Sequence, residues 1–90
     1  MVEEDLCYFQ NLASLDLSDN KVKLEQLKNL RNLVELNLSY NQISRIGNIN
    51  PETDFILLEN LSLAYNNLKL NDLSLLTFFR RLKYLDLTAN

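Results

Sequence analysis

Read as hydrophobic and polar positions, the chain repeats one nine-residue phrase four times. Leucine fills the first, fourth and sixth places and asparagine the ninth. The copies are Leu12, Leu15, Leu17, Asn20, then Leu33, Leu36, Leu38, Asn41, then Leu58, Leu61, Leu63, Asn66, then Leu82, Leu85, Leu87, Asn90. All sixteen anchor positions match without substitution, and the phrases start at residues 12, 33, 58 and 82. Successive starts are thus 21, 25 and 24 residues apart, a spacing that marks stacked repeats. Within each phrase, alternate leucines face one way, which predicts a short strand with its leucine pair inward. The asparagine ends the strand, and its amide can both donate to and accept from backbone groups where the chain turns. Stacked in register, Asn20, Asn41, Asn66 and Asn90 are expected to form a buried hydrogen-bonded ladder with a structural role.

The segments that return the chain to the next strand differ. The first carries Val22, Leu24, Leu27 and Leu30, close to helical or 3₁₀ spacing. The second places Ile43, Ile46 and Ile49 at every third residue, then loops through residues 48–54. There Pro51 stops helix continuation and biases Asn50 to an extended backbone. The third, Asn71 to Arg81, reads as a short helix. Asn71 would cap it, Asp72 suits the first turn, and Arg80 and Arg81 suit the last. Leu73, Leu76 and Phe79 would face the core, leaving Phe78 as the more exposed of the two phenylalanines.

The phrase L-x-x-L-x-L-x-x-N over residues 12–90 resembles the leucine-rich repeat family, in its intracellular form. The isoleucine spacing is similar to the short, phosphatase-regulator-like subclass. The blocks 54–66 and 82–90 are similar to the repeats of the X-ray radiation resistance-associated proteins, which implies a cytoplasmic or nuclear setting linked to radiation response. The family implies an α/β fold class. It would be a leucine-rich repeat solenoid with four short parallel strands on the concave face and 3₁₀, short helical or loop return segments on the convex side. Residues 1–11 would form a partial N-terminal cap, with Leu6, Tyr8 and Phe9 packing over Leu15 and Leu17. Residues 12–90 would form the repeat domain, whose last unit is incomplete. A solenoid end without a polar cap exposes its core edge, so a fragment of a longer repeat protein is expected.

Composition narrows the function classes. The ninety residues include 22 leucines and 13 asparagines but one Gly (Gly47) and one Pro (Pro51). With 47% hydrophobic and 23% charged residues the chain is an ordinary folded domain, neither disordered nor collagen-like. The net charge of −3 and the scattered cations argue against nucleic acid. Lys21, Lys23, Lys28, Arg31, Arg45, Arg80 and Arg81 read as a solvated face. No apolar run is long enough to span a membrane, and the acidic start, Glu3 to Asp5, is the wrong sign for a secretory leader. Cys7 is the one cysteine and has no internal disulfide partner. It reads as a small hydrophobe, and a reducing compartment, cytoplasm or nucleus, is expected. Without histidine, a second cysteine or a glycine-rich loop, the usual triads, Cys-His metal sites and phosphate loops cannot be built. Asp16 and Asp86 would lie on the order of 14 Å apart, too far for paired-carboxylate chemistry. No enzyme activity, catalytic residue, metal or cofactor is expected.

With the leucine pairs inward, the residues between them point outward on the concave face. One column is Ser14, Glu35, Asn60, Tyr84, and the next is Asp16, Asn37, Ser62, Asp86. Tyr40 and Tyr65 take equivalent places beyond the strands, so their rings should be neighbours. These ten residues form the expected binding surface for a protein or peptide of basic character. Tyrosine is enriched at such surfaces because it is large, rigid and polar at its tip. Four short strands give a strip of a few hundred Å², below the roughly 800 Å² per partner of a stable interface. A protein-interaction scaffold is therefore the leading expectation. A regulatory subunit docking an enzyme such as a protein phosphatase, or a purely structural solenoid segment, are the alternatives. The oligomeric state does not follow from the sequence.

Overall fold

A computed structural model describes residues 11–46, 49–50, 52–69 and 79–90. Residues 1–10 of the expected cap over residues 1–11, with Cys7, and residues 71–78 of the expected helix over residues 71–81, with Phe78, lie outside them. Residues 79–81, expected to close that helix, are not helical: the chain there turns into the fourth strand phrase.

The four phrases form four three-residue strands: β1 (Ser14–Asp16), β2 (Glu35–Asn37), β3 (Asn60–Ser62) and β4 (Tyr84–Asp86). They make one parallel sheet in the order β1-β2-β3-β4. Register follows the sequence phrase: Leu15 pairs with Leu36, Leu36 with Leu61, and Leu61 with Leu85. A one-residue slip would turn every leucine outward, so the alternation itself fixes this register. The strand entries repeat one backbone pattern. Ala13 O accepts from Val34 and Glu35, Val34 O from Glu59 and Asn60, and Glu59 O from Lys83 and Tyr84.

The core lies behind the sheet. Leu33, Leu38, Leu58 and Leu63 are completely enclosed. Each fully buried leucine contributes roughly 1.5–3 kcal/mol. The first return segment forms a 3₁₀ helix, Leu24–Leu27, that buries both of its leucines. Its start is fixed reciprocally: Gln26 N–H donates to Lys23 O, and Lys23 N–H donates to Gln26 Oε1 at 2.8 Å. Ile43, Ile46 and Ile49 all enter the core from the irregular second segment, as their spacing predicts. The loop after them closes on itself, with Asn50 N–H donating to Asp54 Oδ2 and Asp54 N–H to Asn50 O. Phe55, the residue that follows the loop, is buried and meets Phe79 edge-on at 5.8 Å. Phe79 is a core residue, as expected. Among the described residues the only helix is the 3₁₀ turn.

Candidate functional site

The in-register sheet brings eight of the ten expected surface residues to one groove. Ser14, Glu35, Asn60 and Tyr84 form one row, and Asp16, Asn37, Ser62 and Asp86 the other. Together with Leu15, Leu36, Leu61 and Leu85 they line a concavity of about 560 Å³. Three carboxylates line it and no cation does. Among the described residues Tyr84 is the most open large hydrophobic side chain, at 71% exposure. Asn60 Oδ1 is buried and without a hydrogen-bond partner in the middle of the groove.

The second row is also a hydrogen-bonded strip. Asp16 Oδ1 accepts from Ser18 N–H, Asn37 Oδ1 from Ser39 N–H, and Asp86 Oδ1 from Thr88 N–H. Each is a side chain holding the backbone two residues on, which shapes the turn out of the strand. The strip crosses repeats through Asn37 Nδ2 to Asp16 Oδ2 at 3.5 Å and between the Ser39 and Ser62 hydroxyls at 2.9 Å. The Ser18 backbone N–H, with its side chain adding, holds the Asp16 carboxyl below its ordinary value. The Thr88 hydroxyl, then its backbone N–H, does the same for Asp86. Both groups therefore stay charged to a lower pH than an ordinary aspartate. Their turn role was missed in the sequence, although Asp-x-Ser, Asn-x-Ser and Asp-x-Thr are readable signals for it.

Tyr40 and Tyr65 do not line the groove. They lie on the adjacent row of turns, Asp19, Tyr40, Tyr65 and Ala89, all with positive φ between 56° and 60°. Backbone bonds tie this row across repeats: Asp19 N–H to Ser39 O, Tyr40 N–H to Ala64 O, and Tyr65 N–H to Thr88 O. The two rings are neighbours as expected, and they stack, 4.5 Å apart and 3° from parallel.

The asparagine ladder has a direction. Asn41, Asn66 and Asn90 each reach back to the preceding repeat. Asn41 accepts from Val22 N–H and donates to Leu17 O. Asn66 accepts from Asn41 and Ile43 N–H and donates to Leu38 O. Asn90 accepts from Leu68 N–H and donates to Leu63 O. The expectation that all four are buried needs correction. Asn41 and Asn66 are buried, whereas Asn20 and Asn90 are exposed. Asn20 bonds within its own turn, to Leu17 O and Ser18 O.

A second, basic cleft of about 480 Å³ lies between the first two turns, lined by Lys21, Lys23, Glu25, Asn41, Gln42, Ile43, Ser44 and Arg45. Among the described residues no group of three or more Cys, Asp or Glu could hold a metal, and no helix is long and apolar enough to cross a membrane.

The sequence pattern of the family described as Leucine Rich Repeat matches residues 11–33 and 32–53. The match covers the first two units, and the sheet register carries the same phrase through β3 and β4. No curated protein and no solved structure matches the chain.

Proposed function

The chain is an array of leucine-rich repeats, generally protein-protein interaction modules rather than enzymes, and on that premise we propose that its concave groove binds a basic protein segment. The observation that carries this reading is the charge of the groove: Asp16, Glu35 and Asp86 line it and no lysine or arginine does. Such a surface steers positive segments toward it and repels acidic ones. Exposed Tyr84 supplies a rigid aromatic contact at its edge. Asn60 Oδ1, buried without a partner, gains one if its amide turns toward a bound donor. The sign of the groove disfavours a phosphate backbone. We propose a reducing setting, cytoplasm or nucleus, on the single cysteine in the sequence.

The turn-forming bonds of Asp16, Asn37 and Asp86 favour a second reading, in which the row is purely structural. One experiment separates the two. An arginine-serine peptide is titrated into the wild type and into the Asp16→Asn, Glu35→Gln, Asp86→Asn triple variant, with melting temperatures measured alongside. The binding reading expects affinity to fall by at least tenfold at low salt, and the wild-type affinity to weaken as salt rises. A lowered melt with unchanged affinity sinks it in favour of the structural reading.

A further inference from the structure

We infer that the row of turns beside the groove holds an arginine-selective site, in which a guanidinium stacks on the outer face of Tyr40 and pairs with Asp19. This deepens the proposed function and rests on it, because the arginine would belong to the same basic segment.

The argument starts from what covers each ring. Stacking removes one face of Tyr40 and one of Tyr65 from solvent. Tyr40 nevertheless keeps 53% and Tyr65 48% of its surface exposed, so the outer faces are open. The row then decides what flanks them. On the side of Tyr40 away from Tyr65 stands Asp19, one repeat step along, joined through Asp19 N–H to Ser39 O at 2.9 Å. On the far side of Tyr65 stands Ala89. Repeat steps in a parallel sheet are about 4.8 Å. An aspartate side chain ends short of the outer part of a tyrosine ring, so from that position the Asp19 carboxylate can reach the edge of the open face without covering it. Asp19 is exposed. The cations nearest in sequence, Lys21 and Lys23, line the neighbouring cleft with Arg45.

An open aromatic face beside a carboxylate suits a guanidinium better than an ammonium. The guanidinium is flat, so it continues the ring stack as a third plate. Its edge N–H groups then point in its own plane toward the carboxylate. An ammonium is a hydrated point charge and satisfies only one of the two surfaces well. Ala89 offers no charge, so the Tyr65 end should take no cation selectively.

The test uses three acetylated peptides of one sequence, Ser-Xaa-Ser-Xaa-Ser, with Xaa arginine, lysine or citrulline, titrated into the 90-residue chain and followed by aromatic-region NMR. Arginine is expected to bind about threefold or more tighter than lysine, with its side-chain signals shifted upfield by the Tyr40 ring. Asp19→Asn and Tyr40→Leu should each abolish that preference, while Tyr65→Leu should reduce it less. The triple groove variant should weaken arginine and lysine peptides alike and leave their ratio unchanged. An unchanged ratio in Asp19→Asn and Tyr40→Leu, with the groove variant still weakened, overturns the arginine site and spares the groove. Binding that neither set of variants alters, or none at all, overturns both.

Discussion

The two inner repeats and the two outer ones carry the same phrase and live in different environments. Leu36 and Leu61, on β2 and β3, are 3% exposed, whereas Leu15 and Leu85, at the same register on β1 and β4, are only part-buried. Asn41 and Asn66 are buried, and Asn20 and Asn90 are exposed. Identical residues thus receive their energy from their neighbours, as nearest-neighbour coupling in a repeat array requires. The contrast also explains why the groove is a joint product. No single repeat contributes more than three of its lining residues.

The largest effect that could break this comparison is loss of a core leucine. Leu63 is wholly enclosed and Leu87 is part-buried. Leu63→Ala should cost about 3–4 kcal/mol, which lowers the melt by more than about 12 °C. Leu87→Ala should cost about 1 kcal/mol. Equal losses in thermal melts would mean that the outer repeats pack as tightly as the inner ones.

Next come the asparagines. Asn66→Ala strands the buried N–H groups of Asn41 and Ile43 together with Leu38 O. At roughly 1–3 kcal/mol for a stranded group, a loss of about 3 kcal/mol is expected in urea titration. Asn20→Ala releases carbonyls that water can reach and should cost under about 1 kcal/mol. If Asn20 costs as much as Asn66, the backward direction of the ladder is wrong.

A smaller contrast concerns the positive-φ turns. A residue with a Cβ costs roughly 1–2 kcal/mol in this conformation. Ala89→Gly should therefore stabilise by about 0.5 kcal/mol after the added flexibility of the unfolded chain. Tyr40→Gly gains the same relief but loses a stacked ring pair worth roughly 1 kcal/mol. It should come out neutral or slightly destabilising in the same melts.

The smallest effect is acid. The Asp16 and Asp86 carboxyls lie below their unfolded value in the folded chain. Groups shifted in that direction contribute fully above the unfolded value, about pH 4, and lose that contribution as pH falls through their folded values. A modest drop in melting temperature between pH 5 and pH 2 should shrink in Asp16→Asn and Asp86→Asn. A wild-type melt that rises over that range would contradict the assignment of those hydrogen bonds.

Much of this was legible in the sequence. The leucine alternation dictates strands and register, and the triplet isoleucines dictate an inward return segment. The paired positions of Tyr40 and Tyr65 dictate neighbouring rings. The direction of the asparagine ladder was not legible, because it depends on which repeat's amides face each side chain. Phe55 lies outside the repeat phrase, so the leucine pattern does not place it in the core where it meets Phe79. The sequence groups Tyr40 and Tyr65 with the concave columns. The positive-φ turn sets them on their own row, and a period-two pattern holds no information about a residue in that conformation.

The most direct test of the acidic groove is amide chemical-shift mapping of the labelled chain during titration with the arginine-serine peptide. The expected result is a contiguous set of shifts on Ser14, Asp16, Glu35, Asn37, Ser62 and Tyr84, spreading to Asp19 and Tyr40. Shifts centred instead on the 3₁₀ helix Leu24–Leu27 and the basic cleft around Arg45 would contradict it.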